Sequence, residues 1–177
     1  TAFGRSALVS NTTASNNTAA GYQAALANTT GTLDAFGAFS LNANTTGSSN
    51  TGIGRYALVA NTTGSSNVAV GQSSLVSNTT ASNNTAVGYQ ALYANTTGAN
   101  NTAMGKFTLD ANTTGGTNTA LGAGALSAAT TANYNTAIGG NAAVRVTTGS
   151  FNTTIGRDAH DALTTGDRNV AVGQNAM

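Results

Sequence analysis

The chain has 177 residues and a formal net charge of +1, from six Lys and Arg against five Asp and Glu, with one His. It has no basic patch for a phosphate backbone, no apolar run near the ~18 residues of a membrane-spanning helix, and no cysteine for disulfides or thiolate metal sites. Thr (32), Asn (23) and Gly (22) dominate, while Leu, Val, Phe and Ile total 29, yet the high net charge of a disordered chain is missing.

The first predicted element is the triplet Ala2-Phe3-Gly4, a small residue, an apolar residue and glycine. The pattern returns at Gly21, Gly37, Gly54, Gly71, Gly88, Gly105, Gly122, Gly139, Gly156 and Gly173. Every interval is 17 residues except the 16 between Gly21 and Gly37, and the missing residue is assigned to the loop around Gly31 to Leu33. The unit is well seen in Asn84 to Asn100, NTAVGYQALYANTTGAN. A small residue stands three places after the glycine, usually Leu follows it, and then comes Asn-Thr-Thr-Gly or a near variant. In the last three full copies Ala129, Val146 and Leu163 replace the Asn before the paired Thr.

A period of 17 is too short for a pair of packed helices, and no window sustains helical apolar spacing. Short β segments broken by Gly and Asn turns fit the pattern. The predicted fold is therefore all-β: a parallel β-solenoid or β-roll with one 17-residue repeat per coil. Residues 1–177 form a single array of about ten coils, read as a fragment of a longer chain because it opens and closes inside a repeat without an initiator Met. At the interstrand spacing, ten coils make a rod roughly 48 Å long. Stacked Asn side chains are expected to bond along their column, with Asn and Gly in left-handed corners. Small columns such as Ala86 and Ala91 are read as points of close backbone approach rather than core. One coil is then expected to bury little, and a homotrimer about a common axis is expected to cover the second apolar face.

The segments Asn67 to Gly71 and Asn169 to Gly173 (NVAVG) and Asn135 to Gly139 (NTAIG) resemble the head repeats of trimeric autotransporter adhesins. That resemblance implies a trimeric left-handed parallel β-roll, although the present coil is longer by its Leu-x-x-Asn-Thr-Thr-Gly stretch. The fuller pattern NTAVGYQALYANTTGAN is similar to repeats of phage tail-fibre proteins and related bacterial surface proteins. The implied function is a structural segment of an extracellular fibre, on a cell surface or a virion, holding a distal tip domain that contacts a surface glycan or receptor. The implied partner is a second and third copy of the chain. No enzyme activity, cofactor, nucleic-acid partner or membrane span is expected of this segment.

Asn11, Asn28, Asn44, Asn61, Asn78, Asn95 and Asn112 each begin an Asn-Thr-Thr sequon and are candidates for N-glycosylation. The competing reading is an Asn ladder at a turn. The paired Thr columns suggest an ice-binding or glycan-binding face, although adjacent Thr12 and Thr13 point to opposite faces if extended. Asp158, His160 and Asp161 form an acidic cluster with the one histidine, against which stands degeneration of the repeat near its end. Tyr22, Phe39, Tyr56, Tyr89 and Phe107 lie just after the motif glycines, beside Arg5, Arg55, Lys106 and Arg157, as a glycan-contacting column or as cover for neighbouring chains. No catalytic or metal-binding residues are assigned: no nucleophile triad, phosphate loop or zinc spacing is present.

Overall fold

The computed structural model describes all 177 residues. The chain winds as a parallel β-solenoid without helices. Each small-apolar pair closes a strand of two to four residues, from β1 (Ala2–Phe3) to β11 (Val170–Val172), and the motif glycine follows it in a bend. All eleven strands pair in parallel in chain order, so each coil stacks on the next. The register joins equivalent slots: in β6 (Thr85–Val87), Ala86 faces Ala103 of β7 (Thr102–Met104). The short coil does not disturb this match. In β3 (Leu33–Phe36), Ala35 pairs with both Ala19 and Gly52, so the deletion falls between Gly31 and Leu33.

The stacking runs all round the coil. Of 114 backbone hydrogen bonds, only 21 lie within strands, and most of the rest join turns one coil apart. Gly88 N donates to Val70 O, Leu92 N to Thr108 O and Thr96 N to Thr113 O, at 2.8, 3.0 and 2.9 Å.

In each three-residue strand only the central residue points inward, and the four-residue β3 and β4 (Asn50–Ile53) bury their first and third residues. Ala86 is buried, while Thr85 and Val87 face outward. Ala91 and Leu92 are buried on the opposite wall. The small columns are thus the core itself, contrary to their reading as points of backbone approach. Twenty-four buried residues form one continuous cluster, mostly Ala with Leu41, Leu58, Leu75, Leu92, Leu109 and Leu126. A coil this narrow leaves room for one Leu between Ala walls, and that suffices to exclude water from the interior of a single chain. What a second copy can cover is the outside.

The corners also depart from expectation. The motif glycines have φ from 121 to 147°, and Asn16, Asn83 and Asn100 take positive φ. So does the buried Leu column, with Leu41, Leu58 and Leu92 at 51 to 52°. A left-handed residue with a side chain costs about 1–2 kcal/mol. Burying a Leu side chain returns about 1.5–3 kcal/mol. The corner therefore persists because its side chain is in the core.

Candidate functional surfaces

The sequon asparagines line the inside of the coil. Asn28, Asn44, Asn61, Asn78, Asn95 and Asn112 are fully buried, and Asn11 in the first coil is half-buried. From Asn28 onward each Nδ2 donates both along the column and across its own turn. Asn61 bonds Asn44 Oδ1 at 2.7 Å and Gly64 O at 2.9 Å, and Asn95 bonds Asn78 Oδ1 at 3.0 Å and Gly98 O at 2.9 Å. Asn11 Nδ2 donates to Ala14 O at 2.9 Å. In the six buried sequons the nitrogen that would carry a glycan thus already spends both hydrogens in the interior, whereas Asn11 spends one. Attachment requires an uncoiled chain, and a coil so modified has no room to close.

A second, parallel ladder starts each strand. Asn84 Nδ2 donates to Gly98 O at 2.9 Å, and its Oδ1 accepts from Asn101 N at 2.9 Å. Leu33 interrupts this ladder in the short coil. Its own N still donates to Asn17 Oδ1 at 2.8 Å, and Asn50 N turns to Thr32 O at 3.4 Å.

The two Thr columns lie largely in bends rather than in strands, and they differ in their bonding. From Thr12 to Thr147 the first Thr of the pair donates Oγ1 to the carbonyl of its counterpart one coil on, as Thr96 does to Thr113 at 3.0 Å. The second Thr is exposed in all ten coils, from Thr13 to Thr165. The apolar residue before the motif glycine also faces out. Phe36, Ile53, Met104 and Leu121 are 42 to 45% exposed, and the ridge continues to Val172.

The Asp158, His160 and Asp161 group does not assemble. Asp158 pairs with Arg157 at 3.0 Å and accepts from Asn141 Nδ2 at 3.0 Å, and Asp161 is exposed. His160 turns inward in the Leu column, where its Nδ1 meets Thr154 Oγ1 at 2.7 Å. Burial lowers its pKa, and its buried Nε2 has no partner. An open, mostly apolar hollow of about 260 Å³ lies beside it, lined by His160, Ala162, Leu163 and Met177. No three side chains of metal-binding type converge anywhere in the chain.

Two interior pairs escaped sequence reasoning. Thr154 and His160 replace Ala and Leu of the repeat together. Likewise Ser40 replaces Ala and donates to the carbonyl of Gly52 at 2.8 Å. A methyl on Gly52 would lie 2.5 Å from Ser40 Oγ, so Gly52 is the complement of Ser40. Pairing is not a general rule of the repeat, since Ser74 and Thr108 also replace that Ala and bond the Gly71 and Gly122 carbonyls opposite an unchanged Ala86 and Ala120.

The aromatic and basic side chains just after the motif glycines come together in two groups, which include Arg55 and Lys106 but not Arg5 or Arg157. Tyr22 meets Phe39 edge-on at 5.2 Å, Phe39 stacks on Tyr56 at 5.2 Å, and Tyr89 meets Phe107 at 5.5 Å. The Arg55 guanidinium sits 4.6 Å over the Tyr56 ring, and Lys106 Nζ sits 4.6 Å over the Phe107 ring.

No protein-family model matches this sequence, and no curated protein or solved structure is significantly similar to it.

Proposed function

We propose that this chain is a structural segment of an extracellular fibre, of the phage tail-fibre or bacterial surface-adhesin kind, which presents a distal receptor-binding tip. The observation that carries the reading is the unbroken eleven-strand register, which makes a rod whose every coil repeats the same parallel strand pairing. Repetition of this sort transmits length and load, and neighbouring coils stabilise one another. Self-association as a homotrimer is part of the proposal. The outward apolar ridge from Phe3 to Val172 gives each copy one continuous strip to bury. Solution mass by light scattering, with crosslinking, tests the assembly: a trimer is expected, and a monomer at micromolar concentration overturns it. Electron microscopy of the full-length protein tests the fibre, with this segment expected as a straight shaft.

One observation favours a second reading, an ice-binding solenoid. The exposed Thr column is complete in ten coils and unbroken by a bulky residue. Thermal hysteresis or ice shaping at micromolar protein is the result this reading requires, and its absence removes it.

A further inference from the structure

Two adjacent slots, the first and second residues after each motif glycine, form one edge of the rod. They are the central residues of a turn closed by bonds such as Ala91 N to Gly88 O at 3.3 Å. The second of them has positive φ, as in Gln90 at 55°. A turn of this kind presents both central side chains outward, which a strand cannot do.

Those two slots of seventeen gather a particular chemistry. They hold all four Gln of the chain (Gln23, Gln72, Gln90 and Gln174) and half of its aromatic residues. They also hold four of the six basic residues, and these recur every third coil: Arg5, Arg55, Lys106 and Arg157. Three coils correspond to roughly 14 Å along the rod at the interstrand spacing. All four cations are exposed, as are Tyr22 and Tyr89.

The charge of this edge is largely uncompensated. The one ion pair of the chain joins Arg157 to Asp158. Arg55 and Lys106 rest instead on aromatic rings, and Arg55 also donates to Tyr56 Oη at 3.0 Å. Ring contacts orient a cation without neutralising it. Of the five acidic residues, four lie on other faces: Asp34 in β3, Asp110 and Asp161 five places after the glycine, and Asp167 in the loop.

We propose that this edge is a binding strip for a linear acidic polysaccharide lying along the rod axis. Rings offer flat apolar faces to sugar C–H groups, Gln amides pair with hydroxyls, and the spaced guanidinium and ammonium groups pair with carboxylates. The strip belongs to the repeat array itself, so the proposal goes beyond the fibre reading, in which recognition sits in a tip.

The test uses the full chain with three probes: polygalacturonate, neutral dextran and duplex DNA. Polygalacturonate is expected to bind at low salt and to weaken as salt is added. The double variant Arg55→Gln, Lys106→Gln is expected to bind about tenfold more weakly, or about 1.4 kcal/mol. The off-edge double variant Arg145→Gln, Arg168→Gln is expected to bind like the parent. Tyr89→Ser, a single change at the exposed edge, is expected to weaken binding with only a small fall in melting temperature from the lost Phe107 ring contact. The proposal is overturned if dextran or DNA binds as well as polygalacturonate, if both double variants weaken alike, or if no probe binds at low salt.

Discussion

A methyl group added to Gly88 would lie 2.5 Å from the Gly105 carbonyl oxygen and 2.6 Å from its carbon, both backbone atoms of the next coil. Its φ of 137° is also hostile to any side chain. Gly88→Val is therefore expected to cost more than about 4 kcal/mol, in the range of the most damaging single changes. Ser65→Val is expected to cost about 1 kcal/mol, because Ser65 Oγ accepts from Ser48 N at 3.0 Å and that bond is lost. Melting curves of the two variants check the order. At His160 the expectation concerns pH. Burial favours the neutral ring, so the folded pKa lies below the ordinary 6.5 while the unfolded chain titrates near it. The unfolded state then binds the proton first as pH falls, and stability declines from about pH 6.5 downward. His160→Leu, which restores the residue of most other coils, is expected to flatten that decline in thermal melts at pH 5 and 7.

At the scale of the element, the sequon ladder is directional and ends inside the array. Each Asn Oδ1 accepts from the Nδ2 of the following coil, as Asn95 does from Asn112 at 2.7 Å. Ala129 occupies the next slot, and Asn112 Oδ1 is left buried without a partner. Beyond this point Ala129 and Val146 make the slot apolar, and an external stack takes over: Tyr134 on Phe151 at 4.9 Å, with Arg168 over Phe151 at 5.4 Å. The step from Asn112 to Ala129 has neither fastening. Ala129→Asn extends the ladder by one rung and offers donors to Asn112 Oδ1 and to its own turn. It moves the orphan oxygen one coil further without adding another. A gain of about 0.5–1.5 kcal/mol is expected, the net of one added hydrogen bond. Chemical denaturation measures it, and a loss of stability would show that the ladder does not fasten these coils.

For the whole molecule, the rod is held by backbone bonds, amide ladders and Ala–Leu packing, with a single, largely exposed ion pair. Exposed pairs contribute about 0–1 kcal/mol. The melting temperature is therefore expected to stay nearly constant from low to physiological ionic strength. A shift of many degrees would show that charge repulsion or pairing sets the stability. Coupling between coils also means that a defect in mid-array weakens its neighbours. Hydrogen exchange in Gly88→Val should rise in the flanking coils, and in the terminal coils least.

The 17-residue period, read from glycines alone, determined the parallel solenoid, its coil count and the place of the deletion. A repeating unit that stacks on its copy brings like slots together, so the neighbours of every residue follow from the period. The Asn ladder was legible for the same reason. The direction of each column, inward or outward, was not. Strand alternation relates Ala86 to Val87 but does not say which of them faces the core, and both are apolar. Only the closed coil decided that Ala lines the interior and Val, Ile, Phe and Met form the ridge, because the narrow cross-section admits a methyl opposite each Leu. The left-handed Leu corner was likewise invisible, since its local cost argues against it and only tertiary burial offsets that cost. The pairs Ser40–Gly52 and Thr154–His160 join different walls of the coil, and their distance in space is set by closure rather than by the chain.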